Sequence, residues 1–218
     1  MSMSSDMNSP AFYIFLILIQ FVSGSIMYSY ILARLKRVNL KDVRDGNPGS
    51  TNLWRVAGWK WGLTALLLDF FKGVLPLALF SWINEGLLNP YIVSLAALAG
   101  IAGHAFSPML KLKGGKAVAT TFGAWTVMTK WEGPTLIGTV YVIFSIWNKM
   151  KNKTATTPEE DALRVFLGFL ALLVYVIFKI WQGKHYELLI LFFGNLSIIL
   201  FKHKKELMKL THKTTKNR

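Results

Sequence analysis

Three short polar stretches hold most of the residues able to do chemistry: "RDGNPGSTNLWR" at 44–55, "KLKGGK" at 111–116 and "KHKKE" at 202–206. Together they offer arginine, lysine, flexible glycine and amide side chains, a set suited to anionic oxygens. Glycine lets backbone N–H groups converge on a phosphate, lysine supplies a point charge, and arginine supplies a two-pronged contact. Each stretch also has a plainer reading. Gly46, Pro48 and Gly49 are ordinary turn residues. "KGGK" is not a P-loop, because Ala117 replaces the hydroxyl residue that would follow the lysine. The run from 202 onward reads by itself as a solvated basic helix or as a positive-inside anchor.

Charged and titratable residues also occur inside apolar blocks. Asp69 and Lys72 in "LLLDFFKG" are three apart, so on a helix they share a face. At membrane depth such charges serve either a structural ion pair or a site, and the spacing does not choose. His104 in "GHAFSPML" reads either as a helix-packing residue or as a base. The chain has no cysteine, which excludes disulfides, thiolate nucleophiles and cysteine metal sites. Its four histidines (His104, His185, His203, His212) have no metal-ligand spacing, so neither a metal nor another cofactor is expected. Met109 stands where a His-x4-Asp base would need aspartate, and there is no G-x-S-x-G elbow.

The elements that must position these residues are apolar blocks. Of 218 residues 53% are hydrophobic. Segment 11–31 carries no charge and is long enough to cross a hydrocarbon core of ~30 Å at about 1.5 Å per residue. Blocks 62–84, 90–110, 162–182 and 186–201 resemble it. Two shorter blocks, 117–129 and 134–148, are separated by "KWEG" and read as a tilted pair or a re-entrant hairpin. The expectation is an all-α polytopic membrane protein of one embedded domain, 1–218, with about seven transmembrane helices. Loop 34–60 has seven basic residues, 111–116 three, 149–164 four and the tail 202–218 seven, which is 21 of the 25 Lys and Arg, all in alternate connections. By the positive-inside rule the amino terminus lies outside, and the three polar stretches and the carboxyl terminus are cytoplasmic. The net charge of +14 therefore follows one membrane face and points to membrane lipids and small anions, not to nucleic acid.

The order "GSI" (24–26), "DGNPGSTNLWR", "LLDFFKG", "GHAFSPMLKLKGGKAVAT" closely resembles the bacterial acyl-phosphate:glycerol-3-phosphate acyltransferase family, PlsY, over nearly the whole chain. The resemblance implies a small inner (plasma) membrane enzyme with a cytoplasmic site. It would use glycerol 3-phosphate and acyl phosphate and make 1-acylglycerol 3-phosphate, the first acylated intermediate of phospholipid synthesis. Its first motif falls on Asn47, Gly49, Thr51, Asn52 and Arg55, and its second on His104, Pro108, Lys113, Gly114, Gly115 and Lys116. The third, a basic-His run before a Glu-Asn pair, meets His203, but Lys205 and Glu206 stand in place of that pair. A second departure is in motif one, where Asp45 replaces the family's usual serine and Arg44 the small residue before it.

An acyl phosphate is a mixed anhydride with a good leaving group, so attack by a hydroxyl needs no acyl-enzyme, which suits a chain without cysteine or triad. The resemblance assigns Arg55, Lys113 and Lys116 to phosphates with help from Gly114 and Gly115, and Asn47, Gly49, Thr51 and Asn52 to orienting glycerol hydroxyls. His203, Asp45 or the substrate's own phosphate would be the base, and Asp69, Lys72 and His104 would line the site. The rival readings are a non-catalytic binder or transporter of phosphorylated solutes, and an acyltransferase using acyl-CoA or acyl carrier protein. Because the chain lacks cysteine, introduced single cysteines test the orientation directly. Ser5→Cys is expected to react with an impermeant thiol reagent on intact cells, and Ser50→Cys and Thr214→Cys only after lysis. External labelling of Ser50→Cys contradicts a cytoplasmic site.

Overall fold

The computed structural model describes residues 9–83, 88–151, 153 and 156–216. The expected external end before residue 9, the last residue of the 62–84 block and part of the 149–160 connection lie outside the described residues. Ten α-helices form the described structure: α1 (Pro10–Ser25), α2 (Tyr28–Leu35), α3 (Ser50–Ala57), α4 (Trp59–Ile83), α5 (Pro90–Ala105), α6 (Val118–Thr129), α7 (Glu132–Met150), α8 (Pro158–Gly183), α9 (Glu187–Lys202) and α10 (Lys204–Lys216). The starts of α1, α5 and α8 share one device. A capping side chain, Ser9, Asn89 or Thr157, accepts a backbone N–H of the first turn, and a proline follows at the first helical position. Proline's fixed φ and missing N–H suit that position. At α8, Glu160 completes a capping box with Thr157.

Four segments have the length and apolarity to cross a membrane: Pro10–Leu35, Trp59–Ile83, Pro90–Leu110 and Pro158–Gly183. The other expected spans are also helices, but α6 has 12 residues, α7 has 19 and α9 has 16. The short pair α6 and α7 turns at Lys130, whose φ is 54°. Leu18, Val22, Leu75, Leu79, Val142, Ile143, Val174, Ile177 and Phe193 are exposed along the outside of α1, α4, α7, α8 and α9. An outward apolar belt of this extent needs a lipid covering.

The first expected span is not one helix. It breaks at Ile26–Met27, with Ile26 extended at φ −68° and ψ 118°. The break leaves carbonyls without helical partners, and side chains from other helices meet them. Lys72 Nζ donates to the Ile26 carbonyl at 2.6 Å, and Ser107 Oγ donates to the Ser25 carbonyl at 2.5 Å. In lipid every such group must be satisfied internally, so the "GSI" stretch and Lys72 form one structural unit.

The basic run after 202 is helical, one of its two expected forms. α10 lies along α8, with Lys209 Nζ 3.5 Å from Glu159 Oε1.

Helices α1 and α5 cross closely. A Cβ added at Gly24 would lie 2.0 Å from the Gly100 carbonyl oxygen, so only glycine permits the backbone contact. Gly24→Ala is expected to destabilise the protein by about 1–3 kcal/mol, the usual result of overpacking, read as a lower thermal midpoint in detergent. Gly138→Ala is the control, since its nearest new neighbour would be 3.9 Å away, and its midpoint should not fall.

Candidate active site

The segment 43–52 is folded by its own amides. Arg44 (φ 53°) and Gly46 (φ 68°) turn the chain through the left-handed region, and Gly49 begins α3. Asn52 is buried, and its amide nitrogen lies 3.0 Å from the Val43 carbonyl, 2.8 Å from Asp45 Oδ1 and 3.0 Å from the Asn47 carbonyl. Those donors are therefore spent holding the loop, and Asn52 does not have them for a glycerol hydroxyl. The Asn47 backbone N–H also donates to Asp45 Oδ1, at 3.3 Å. Asp45 is the carboxylate around which the loop is wound.

The second and third stretches meet the first at Lys116. Its Nζ is 2.7 Å from Asp45 Oδ2 and 2.9 Å from Glu206 Oε1. Burial alone would raise the Asp45 carboxyl, but hydrogen bonds from Lys116 and Asn52 and the charge of Lys116 outweigh it and hold the group down at about 2. Arg44, the sequence neighbour, pairs elsewhere. Asp45 and Glu206, both departures from the family pattern, thus grip the same lysine.

Gly114 and Gly115 bring Lys116 to this position by passing tightly over His104. Cβ atoms there would fall 2.0 Å from the His104 carbonyl oxygen and 2.3 Å from its Nε2. The Gly115 N–H donates to the His104 carbonyl at 3.1 Å, so it is not aimed at a ligand, contrary to the phosphate-cradling role expected of it. Lys202, read in the sequence only as part of a basic run, donates to the Ala105 carbonyl at 2.9 Å and to the Gly114 carbonyl at 2.7 Å, clamping the turn to α9.

His203 caps α9 and is buried. Its Nδ1 lies 2.9 Å from the Ile199 carbonyl, which can only accept, so Nδ1 carries the proton and Nε2 bears the lone pair. Burial first, and then the positive charge of Lys116, push His203 below the ordinary histidine value. It is neutral at pH 7 and fit to accept a proton.

Beneath these groups Asp69 pairs with Lys72 at 2.8 Å and accepts from Ser29 Oγ at 3.1 Å. His104 Nδ1 is 3.8 Å from Asp69 Oδ1. A third charged group also lines the site. Arg44 reaches Asp161 Oδ2 at 2.6 Å and the Thr156 carbonyl at 2.7 Å, and Arg164 reaches Asp161 Oδ1 at 3.0 Å.

These groups surround a cavity of about 380 Å³. Of the expected site residues it is lined by Asp45, Asn47, Gly49, Thr51, Asn52, Asp69, His104, Lys116 and His203, while Arg55, Lys72, Lys113, Gly114 and Gly115 do not line it. Lys113 and Arg55 are exposed, and Lys72 is committed to Asp69 and Ile26. Leu66, Phe70, Val118, Phe122 and Val165 form an apolar wall. Sequence reasoning missed Tyr141, Asp161 and Arg164 as lining residues. Asp161 and Arg164 have the i, i+3 spacing that singled out Asp69 and Lys72, but they lie at the edge of a stretch that reads as a linker.

A family model described as glycerol-3-phosphate acyltransferase matches residues 14–213. The chain is 58% identical over 195 residues to glycerol-3-phosphate acyltransferase 1 of Thermotoga maritima, covering 89% of this chain and 96% of the relative. It is 30% identical over 201 residues to the glycerol-3-phosphate acyltransferase of Thermosipho melanesiensis, covering 91% and 88%. Its backbone also follows the crystal structure of PlsY (YgiH), an integral membrane glycerol 3-phosphate acyltransferase, in the glycerol 3-phosphate form, with a TM-score of 0.71, 24% identity and 92% of each chain covered. On the extent of these matches, the chain belongs to the glycerol-3-phosphate acyltransferase family.

Proposed function

We propose that this enzyme transfers a fatty acyl group from acyl phosphate to glycerol 3-phosphate, giving 1-acylglycerol 3-phosphate and inorganic phosphate. The observation that carries the reading is the meeting of three sequence-distant polar segments on one cavity with an apolar wall beside them. The solved relative's glycerol 3-phosphate and lysophosphatidic acid forms support the same pair of occupants here.

The glycerol hydroxyl attacks the acyl carbon and passes its proton to His203 Nε2. The bond from the acyl carbon to the phosphate oxygen breaks, and phosphate leaves with the electron pair. His203 suits the base role better than Asp45, whose carboxyl is held near 2 and already accepts from Lys116 and Asn52. Asn47, Gly49 and Thr51 face the acceptor. Lys116 fixes the relation of the three segments. Arg55 and Lys113, exposed and outside the lining, attract anions through their field more than by contact. The apolar wall takes the start of the acyl chain.

The same reading places a single embedded domain, 1–218, in a bacterial inner (plasma) membrane with seven crossings, the amino terminus outside and the site in the cytoplasm. The distribution of basic residues and the outward apolar faces of α7 and α9 support it. The segment 202–218 is then part of the enzyme's cytoplasmic face, because Lys202, His203 and Glu206 all take part in the site.

Purified protein given acyl phosphate and glycerol 3-phosphate should release phosphate and 1-acylglycerol 3-phosphate. His203→Gln should lower kcat by about 100- to 10,000-fold, the range for a lost general base, with little change in KM. The base works unprotonated and its pKa is depressed, so the acid limb of the kcat profile should fall below about pH 6.5. Turnover with acyl-CoA but not acyl phosphate overturns the donor assignment. An unchanged kcat in His203→Gln removes the base.

A further inference from the structure

Two membrane-crossing segments meet at one end of the molecule, Pro10–Leu35 finishing and Trp59–Ile83 starting there. Between them Ala33, Leu40, Leu53 and Ala65 form a small core of their own, separate from the main one. α3 folds back against α4 at Gly58, whose φ is 88°, and so closely that a Cβ added at Gly62 would lie 2.3 Å from that of Trp54. This unit exposes Leu35, Trp54, Val56 and Trp59. It also exposes four cations, Arg34, Lys36, Arg37 and Lys60. Lys36 Nζ lies 4.8 Å from the centre of the Trp61 ring and Lys60 Nζ 5.8 Å from that of Trp59, so the end of α2 and the start of α4 present cations and rings together. None of the four cations has a carboxylate partner among the described residues, and Asp42 of the same unit accepts from the Asn39 amide at 2.8 Å.

Because two crossing helices leave from it, the depth of this unit is fixed at the membrane–water interface. There tryptophan rings sit at headgroup level, and long basic side chains reach the headgroups past their own apolar stems. Cations without carboxylates, set beside exposed rings, complement an anionic headgroup, whereas a zwitterionic headgroup brings its own cation to compete. The positive-inside rule asks only for charge on that side and does not require lysines seated on tryptophan rings around a packed core. We propose that the surface built on the 33–65 core binds anionic phospholipid headgroups of the cytoplasmic leaflet, and that this contact steadies the site loop. The link to the loop is short. Leu40 and Leu53 of the small core stand on either side of segment 43–52, whose Asp45 and Asn52 line the cavity. The inference rests on the membrane placement given above.

The test uses full-length enzyme in nanodiscs of phosphatidylcholine with a minor share of phosphatidylglycerol, and spin-labelled forms of each lipid to read how strongly each is held. Wild type should hold phosphatidylglycerol about two- to fivefold more strongly than phosphatidylcholine, up to the gain from one cation near an anionic surface. The preference should fall towards parity in about 1 M salt, where charges are screened within about 3 Å. Lys36→Gln/Lys60→Gln should lose about half of the preference or more. Lys204→Gln/Lys209→Gln, which removes the same charge from α10, should keep it. Turnover should rise with the share of phosphatidylglycerol in wild type and not in Lys36→Gln/Lys60→Gln. Equal holding of both lipids by wild type, or equal loss in the two double variants, overturns the lipid surface and leaves it to a protein partner. Selective holding with turnover indifferent to phosphatidylglycerol overturns the steadying of the loop. Labelling of Ser50→Cys from outside defeats the membrane placement, and the nanodiscs, whose two leaflets have one composition, still decide whether the surface binds anionic lipid.

Discussion

The ammonium group of Lys116, held between Asp45 and Glu206, is the constraint on which the site depends. Asp45 belongs to the loop before α3, Lys116 to the turn before α6, and Glu206 to α10. Lys116 Nζ thus joins all three segments. The contact is mostly buried, so salt screens it less than a surface pair. Around it each segment is fixed by its own local device: the amide of Asn52 in the first, the glycine turn over His104 in the second, and the Nδ1 contact of His203 in the third.

This arrangement stands on a polar network inside the apolar bundle. Asp69 accepts from Ser29, its carbonyl accepts from Thr120 Oγ1 at 3.0 Å, and Gln20 and Ser23 reach the backbone at Lys72 and Gly73. α1, α2, α4 and α6 are thereby tied by groups that lipid cannot satisfy. Lys72 bonds the free carbonyl left by the break in the first span, so charges that looked site-lining in the sequence are divided in the fold. Asp69 reaches the cavity and Lys72 holds the helices.

Much of this was legible in the residues. Uncharged runs such as 11–31 announce apolar helices because lipid admits few alternatives, and the i, i+3 spacing of Asp69 and Lys72 announces their pair. The motif positions Asp45, Asn47, Lys116 and His203 all reach the cavity. The break at Ile26–Met27 was hidden, because the carbonyls it frees are satisfied by Lys72 and Ser107, far away in sequence. Arg164 and Asp161 were hidden because α8 begins four residues earlier than its apolar run, inside a stretch that reads as linker. The roles of Gly115 and Asn52 were misassigned for a common reason. Motif residues that resemble ligand donors spend their donors on the protein itself, and spacing alone does not reveal which N–H is already occupied.

The shared grip on Lys116 is the central claim, and a double-mutant cycle tests it most directly. Thermal stability in detergent is measured for Asp45→Ser, Glu206→Asn and the double variant. Two carboxylates acting on one ammonium predict non-additivity, with a coupling energy of about 0.5–3 kcal/mol, as for residues in one salt-bridge network. Effects that add within about 0.3–0.5 kcal/mol, the behaviour of independent sites, would contradict the account.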